Sequence, residues 1–316
     1  MPVRYLKKKE NKMKYDLIII GAGPAGVSSA LYATSRGLKT LVLEQDENAG
    51  GTLKKVSNIT HFTGFMTGET GSVFSKTLDE QLKQCGAKVL QKKVTAASLK
   101  GEDKEIICNE EKFLSKAVII AAGTSQNTPD FEILEELKNK HLHNDARKYY
   151  KDYENVIVIG GSDGAAKEAL FLSQNNKHVD LIIREEKLGA VPEFSQPILN
   201  SNNINIHTNS VISKVSGRKN IEEIKIKNTL TSEEEILNFN NCGIFYYIGS
   251  KPNTEVFKEV ELNKGYITVD EKMKTNINGV YAVGDIRVKE VRQISTAVSD
   301  GALAAIDASK YINAKK

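Results

Sequence analysis

Apolar and polar positions fall into blocks along this chain, and the blocks repeat. Residues 16–20 read as a strand around the apolar run Leu17–Ile20, 24–36 carry a helical pattern ending at Gly37, and 39–44 read as a second strand around Leu41–Leu43. The spacing of Val73, Leu78 and Leu82 predicts a helix over 71–86. Short stretches at 88–90, 94–99, 105–108 and 112–113 read as antiparallel strands, and 117–123 as a buried strand closing on a glycine. The pattern then restarts. A strand from Asn155 runs into a second glycine turn, a helix continues through Ser173, and 179–183 is again a strand. Antiparallel pieces follow at 204–207, 210–216, 221–229 and 234–240, and then a buried run at 244–249. The last part, with strands at 267–270 and 279–285 and a helix over 292–311, returns to the first block.

The two glycine turns carry the chemistry. The first, Gly21-Ala-Gly-Pro-Ala-Gly26, lies between a strand and a helix, and Glu44 stands 23 residues after Gly21 at the end of the next strand. Gly21 makes the tight turn, Gly23 lets a pyrophosphate approach the backbone, and Gly26 lets helix and strand pack closely. Glu44 is placed to accept from a ribose hydroxyl. A dinucleotide with an ADP half is expected here. The second turn reads Gly160-Gly-Ser-Asp-Gly-Ala165. The expected fold is therefore α/β, with two Rossmann-like nucleotide-binding domains of three ββα layers, the second inserted into the first. The expected boundaries are 14–124 with 248–316 for the first domain and 125–247 for the inserted one, after a basic tail at 1–13.

Composition narrows the function classes. The 316 residues suffice for two domains, and 40% hydrophobic with 27% charged residues describes an ordinary globular chain. No apolar run has the length of a membrane span, and the first 13 residues have no apolar core of a secretory signal, so a cytoplasmic location is expected. The net charge of +4 invites a nucleic-acid reading. It is supplied entirely by the tail, where Arg4, Lys7, Lys8, Lys9 and Lys12 face Glu10 alone. No nucleic-acid or membrane partner is expected. Cys85, Cys108 and Cys242 stand far apart, which excludes a disulfide scaffold and any zinc-ligand spacing; no metal site is expected.

Several segments together resemble the low-molecular-weight thioredoxin reductase family of flavoproteins. They are the GAGPAG turn, Gly50-Gly-Thr-Leu53, Ala121-Ala-Gly-Thr124, Tyr247-Ile-Gly-Ser-Lys-Pro-Asn253, and Gly279-Val-Tyr-Ala-Val-Gly-Asp285 followed by Arg292-Gln293. The resemblance covers nearly the whole chain from Lys14 onward. It implies FAD in the first domain. Gly21, Gly23, Pro24, Ala25 and Gly26 would cradle the pyrophosphate, with Glu44 and Gln45 at the adenosine ribose and Val94 at the adenine. Gly51, Thr52 and Leu53 would line the isoalloxazine, although the family usually has Gln at position 52. Ala122, Gly123 and Gly284 complete the implied set. Asp285 would hold the ribityl chain, and Arg292, Gln293 and Ile294 would meet the pyrimidine edge at a helix start that favours negative charge. His61 stands where the family places an Asn near the flavin. It is a weak candidate for a donor or proton relay, and a structural substitution explains it equally well. The resemblance also implies a homodimer and domain rotation about linkers near 124–126 and 246–248.

Two working parts of that family are altered. Counting back from Gly160, the positions of its Cys-x-x-Cys dithiol hold His143 and Ala146, close to a second histidine, His141. A dithiol relay needs an attacking and a resolving sulfur one turn apart, and none of the three cysteines supplies that. In the second glycine turn Ser162 replaces the glycine that admits pyrophosphate. Arg184 survives from the family's arginine signature, while Glu185 and Gly189 replace two further arginines. Losing two charged hydrogen bonds costs about 3–6 kcal/mol, so NADP(H) is disfavoured. NAD(H) on Gly160, Gly161, Ser162, Asp163, Gly164 and Arg184 remains open, as does a second domain without nucleotide.

The expected activity is that of an FAD-dependent oxidoreductase. Its flavin is reduced by NADH or by a protein donor such as ferredoxin or flavodoxin, and it serves an acceptor without an internal dithiol. The competing readings are a ferredoxin- or flavodoxin-NAD(P) reductase-like enzyme, a partner-supplied dithiol serving a thioredoxin-like protein, and a non-catalytic FAD-binding regulator or scaffold.

Overall fold

The computed structural model describes residues 14–66, 68–175 and 177–315. They form two compact units. The first takes residues up to 51, then 74–124, then those from 252 onward; the second takes 52–73 and 125–251. The division differs from the expected one in two places. Residues 52–73 group with the second unit, and the last crossing falls at 251/252 rather than 247/248. The first difference has a visible cause. Residues 55–61 hydrogen-bond repeatedly to residues 144–193 of the second unit: Lys55 Nζ donates to Asn144 Oδ1 at 2.8 Å, Arg147 Nη1 to the Ser57 carbonyl at 3.2 Å, and Lys167 Nζ to the Asn58 carbonyl at 3.3 Å. No sequence pattern announces such contacts.

In the first unit, four strands run parallel in the order Lys88–Gln91, Thr40–Glu44, Lys14–Ile20, Glu111–Ile120. The expected strands at 112–113 and 117–123 are one strand of ten residues, Glu111–Ile120. The polar pair Ser115 and Lys116 hides the continuity in the sequence. Ser115 is fully buried with its hydroxyl on the Ala117 carbonyl, and Lys116 pairs with Asp16 at 3.0 Å. One edge of this strand serves two partners. Its first half pairs antiparallel with Lys104–Cys108, which pairs with Ala96–Ser98, and its last residues pair parallel with Val280–Ala282. This junction joins the antiparallel layer to the parallel sheet, and Ile18, Leu41, Ile106, Phe113 and Val118 are buried in the cluster there.

The other face of the sheet carries the helices Pro24–Thr34 and Ile294–Asn313, which cross closely. The first stops two residues short of the expected end, and the last begins two residues later than expected. Gly301 permits the crossing, since a Cβ there would collide with the Ala25 carbonyl and meet Ser28 Cβ at 3.0 Å. Ser28 Oγ ties the pair by donating to the Val298 carbonyl at 2.7 Å. The helix Gly71–Cys85 buries Phe74, Leu78 and Leu82.

The second unit repeats the plan. Five parallel strands run in the order Ile204–His207, His178–Ile182, Asn155–Ile159, Cys242–Tyr246, Leu142–His143. An antiparallel meander of Ser210–Ser216, Glu223–Asn228 and Glu234–Asn238 carries Ile212, Ile224 and Ile226 into a buried cluster with Ile157 and Ile244. On the opposite face Ala165, Ala169 and Leu172 of helix Asp163–Gln174 pack with Val156, Val158 and Phe245. Two short helices, Glu135–His141 and Pro192–Leu199, carry no clear apolar period in the sequence, and Pro197 inside the second reads as a helix breaker.

Candidate functional site

In both units the central strand has its sequence neighbour on one side and a later strand on the other, so the strand order reverses there. The carboxyl end of such a switch point is where open α/β sheets bind ligands. In the first unit this end is stitched by backbone bonds from Gly21 N to the Leu43 carbonyl (2.8 Å), Ala121 N to Ile20 (2.8 Å) and Val283 N to Ile120 (3.0 Å). The expected residues Gly21–Gly26, Glu44, Ala122, Gly123, Gly284 and Asp285 therefore meet at one sheet edge.

The three glycines of the first turn have different reasons to be glycine. Gly21 has φ +104°, and a Cβ there would collide with the Ala121 carbonyl. A Cβ on Gly26 would collide with the Gly21 carbonyl. The protein's own packing demands both. Gly23 is not demanded: its φ is −72°, which any residue adopts, and a Cβ there would meet nothing within 4 Å. The space in front of it is open. It lies at the N-cap of helix Pro24–Thr34, where no side chain caps the backbone N–H groups. Gly51 closes one side of the cradle, at 3.9 Å from Gly23 Cα, and Gly284 the other, at 3.0 Å from Ala25 Cβ, each measured from an added Cβ.

Glu44 is buried at the end of its strand. One carboxylate oxygen accepts from Ala22 N at 2.6 Å and the other from Asp46 N at 2.9 Å, which fixes the carboxylate beside the turn with lone pairs to spare. Gln45 is exposed next to it. Asn253 holds the neighbouring wall, donating from Nδ2 to the Ala122 carbonyl at 2.7 Å and from its backbone to Gly123 at 3.1 Å.

Two side chains of this edge keep a buried polar atom without a partner: Asp285 Oδ1 and Arg292 Nε. Burial raises the Asp285 carboxyl above its ordinary range, against the opposing pull of Lys289 and Arg292. Arg292 lies over the Tyr266 ring at 4.3 Å. Gln293 is the N-cap of the last helix, Thr296 Oγ1 accepts from its backbone N–H at 3.2 Å, and Ile294 follows as the first helical residue. A buried acceptor, a buried donor and an open glycine at a helix N-terminus suit a ligand with hydroxyls, a hydrogen-bonding ring edge and phosphates. FAD has all three, and these residues fit it.

Four of the residues expected at the cofactor have surroundings of their own. Thr52, Leu53 and His61 belong to the second unit. Its own residues hold His61: Nε2 lies 2.7 Å from Glu193 Oε2, and the ring faces Phe194 at 6.2 Å. Val94 is buried in the hydrophobic cluster of the first unit.

The second glycine turn is built differently. Gly160 has φ +136° and Gly161 faces Ile183, so both are demanded by packing, and Ser162 occupies the step that corresponds to Gly23. Gly189 N donates to the Gly161 carbonyl at 2.8 Å and Val191 N to Asp163 Oδ1 at 2.9 Å, which draws the 189–191 loop onto the turn. Arg184 is exposed and held by Glu185, Nη2 to Oε1 at 2.9 Å.

The positions that the resemblance assigns to the family's dithiol are filled by packing. His143 is stacked on Tyr149 with centroids 3.9 Å apart, and its Nε2 lies 2.8 Å from the Tyr153 hydroxyl. Burial pushes its pKa down to about 4, so it is neutral near pH 7. His141 is buried against the same ring of Tyr153, and its pKa too is lowered by burial. Ala146 is fully buried. Cys108 and Cys242 are buried thiols raised by desolvation, unsuited to attack as thiolates.

Sequence reasoning missed two acids. Glu168 is 4% exposed on the helix after the second turn and accepts from Ser57 N, and burial pushes its pKa up to about 7. Asp300, 3% exposed on the last helix, accepts from Gly284 N, Arg287 and Lys289. An acid at a helix position ordinarily reads as a solvated face, and only the fold brings its donors together.

A family model described as pyridine nucleotide-disulphide oxidoreductase matches residues 15–301. A thioredoxin reductase of Peptoclostridium acidaminophilum is 34% identical over 309 residues, covering 95% of this chain and 98% of its own length. A 34.2 kDa protein in the rubredoxin operon of Clostridium pasteurianum is 35% identical over 314 residues, covering 97% and 100%. Among solved structures, Lactococcus lactis thioredoxin reductase superposes with TM-score 0.89 at 33% identity, covering 95% of this chain and 99% of that one. The T. acidophilum enzyme gives 0.88 at 28%, covering 96% and 100%.

Proposed function

We infer the reaction from one premise: the chain belongs to the pyridine nucleotide-disulphide oxidoreductase family and is a thioredoxin reductase-like flavoprotein. It is an FAD-dependent oxidoreductase that takes electrons from NADH or from a carrier protein of the ferredoxin or flavodoxin kind. It delivers them to an external acceptor without an internal dithiol. The observation that carries this reading is the contrast between the two halves. The first unit keeps an open Gly23 and unpartnered Asp285 Oδ1 and Arg292 Nε, while buried His143 and Ala146 stand where the relay thiols would be.

FAD, when bound, accepts an electron pair and returns it singly or together. The residues supply the rest. The backbone N–H groups beginning at Gly23 would face the phosphates, Glu44 would accept from ribose hydroxyls, Asp285 would accept from ribityl hydroxyls, and Arg292 with the following helix start would place positive charge at the ring edge. The relative from a rubredoxin operon supports a protein carrier, the Arg184–Glu185 pair counts against NADPH, and Ser162 counts against close approach of any pyrophosphate at the second turn. A homodimer in the cytoplasm is the proposed form. Among the described residues no helix is long and apolar enough to cross a membrane.

Anaerobic stopped-flow mixing of the FAD-loaded protein with NADH, NADPH and reduced ferredoxin tests the reading. Flavin absorbance should bleach rapidly with NADH or ferredoxin and slowly with NADPH. No useful bleaching with any donor would refute an enzymatic role.

A further inference from the structure

Asp300 collects four donors from one loop. Gly284 N reaches Oδ2 at 3.0 Å, Arg287 Nε reaches Oδ2 at 2.8 Å and Arg287 Nη2 reaches Oδ1 at 2.6 Å, and Lys289 Nζ reaches Oδ2 at 2.9 Å. The ion pairs are enclosed, with side-chain exposures of 17% for Arg287 and 5% for both Lys289 and Asp300. Although burial opposes ionisation, the bonds from Arg287 and Lys289 hold the Asp300 carboxyl below its usual range. One residue after Gly284 comes Asp285, a second enclosed acid, whose Oδ1 has no partner at all. The same Lys289 acts on Asp285, as does Arg292.

Two cations and one carboxylate of the 285–289 segment thus meet a second carboxylate on the last helix, and the pairing is one-sided. Arg287 and Lys289 both go to Asp300, while Asp285 keeps an open oxygen. Without the Asp300 charge, Lys289 would remain enclosed and cationic with Asp285 as the neighbouring carboxylate, and an enclosed ammonium takes whatever anion it can reach. The oxygen that suits a ligand hydroxyl would then be consumed by an internal ion pair.

We propose that Asp300 is a positioning residue that sequesters Arg287 and Lys289, keeping the Asp285 carboxylate free to accept hydrogen bonds from the ribityl hydroxyls of FAD. The proposal rests on FAD occupying the first unit. Asp300 acts through these partners, both of its carboxylate oxygens being taken by the 284–289 segment.

The test is a double-mutant cycle on the apoprotein, reading the FAD dissociation constant from quenching of flavin fluorescence, with circular dichroism and thermal melts confirming the fold. Asp300→Asn should weaken FAD binding about ten- to a hundredfold, the range for one hydrogen bond to a charged group. In an Asp285→Asn background the same change should cost less than about threefold, because the oxygen being protected is already altered. Adding Lys289→Met to Asp300→Asn should recover most of the lost affinity. An equal cost of Asp300→Asn in both backgrounds, or no recovery with Lys289→Met, would overturn the proposal and leave Asp300 as a plain loop anchor through Gly284. If Asp300→Asn does not fold, the charge-balanced Asp300→Asn/Lys289→Met variant decides: affinity within about threefold of the parent supports the proposal, and a loss beyond about tenfold overturns it. A parent apoprotein that binds no FAD refutes the cofactor reading instead.

Discussion

Glu168 accepts the backbone N–H of Ser57 at 3.0 Å through one carboxylate oxygen and leaves the other buried without a partner. Arg147 takes the Ser57 carbonyl and Lys167 the Asn58 carbonyl, so this short segment is held from several sides. Burial raises the acid from 4.5 to about 7, with Ser57 and Lys167 opposing. A carboxyl raised on folding binds its proton more tightly when folded. Its contribution is therefore fully present below pH 4.5 and lost as pH rises through about 7. Glu168→Gln removes that loss and should stabilise the protein at pH 8 by up to about 3 kcal/mol, with the gain vanishing below pH 5. Chemical denaturation of both proteins across that range checks it, and a gain independent of pH would contradict the assignment.

His143 behaves oppositely. His143 is lowered from 6.5 to about 4, chiefly by burial, with His141 adding to the effect. A base depressed on folding contributes stability above pH 6.5 that is lost as pH falls through about 4. His143→Phe should flatten that acid limb. The melting-temperature difference between variant and parent should grow in the variant's favour as pH falls from 6.5 to 4.5.

Gly21 and Gly23 separate folding from binding. Gly21→Ala places a Cβ against the Ala121 carbonyl at φ +104° and should destabilise the apoprotein by about 1–3 kcal/mol. Gly23→Ala enters open space and should leave the apoprotein within about 0.5 kcal/mol of the parent while weakening FAD at least about tenfold. Melts and flavin titrations of both variants distinguish the two effects. Equal FAD affinity of Gly23→Ala and parent would remove the pyrophosphate from this turn.

If the second unit takes a nucleotide, Glu185 would set its preference between NADH and NADPH. Glu185→Arg releases Arg184 from its 2.9 Å pair and removes a negative charge. NADPH affinity, measured by calorimetry, should rise at least about tenfold while NADH affinity stays within a few-fold. No gain for NADPH would show that this turn does not read a 2′-phosphate.

The sequence carried the glycine turns, the Gly-Asp turn and the repeat because each depends on local backbone geometry. Gly21 and Gly26 are glycine for steric reasons that leave a fixed spacing. Glu111–Ile120 was not legible as one strand because Ser115 and Lys116 interrupt its apolar pattern, and their partners, Ala117 and Asp16, become apparent only once the chain is folded. Residues 52–73 were placed with the first domain because nothing in their spacing reveals that Lys55, Ser57 and Asn58 bond to side chains 89–111 positions away. Asp300 was passed over for the same reason: its donors lie 11–16 residues earlier, in a loop whose path the sequence does not describe.

Anaerobic titration with dithionite tests the central claim most directly, because it counts the groups that accept electrons. A chain with FAD and no working dithiol takes up two electrons per flavin, and replacing Cys85, Cys108 and Cys242 together leaves that number unchanged. An uptake of four electrons per flavin, falling to two in the cysteine-free variant, would show an internal disulfide and contradict the account.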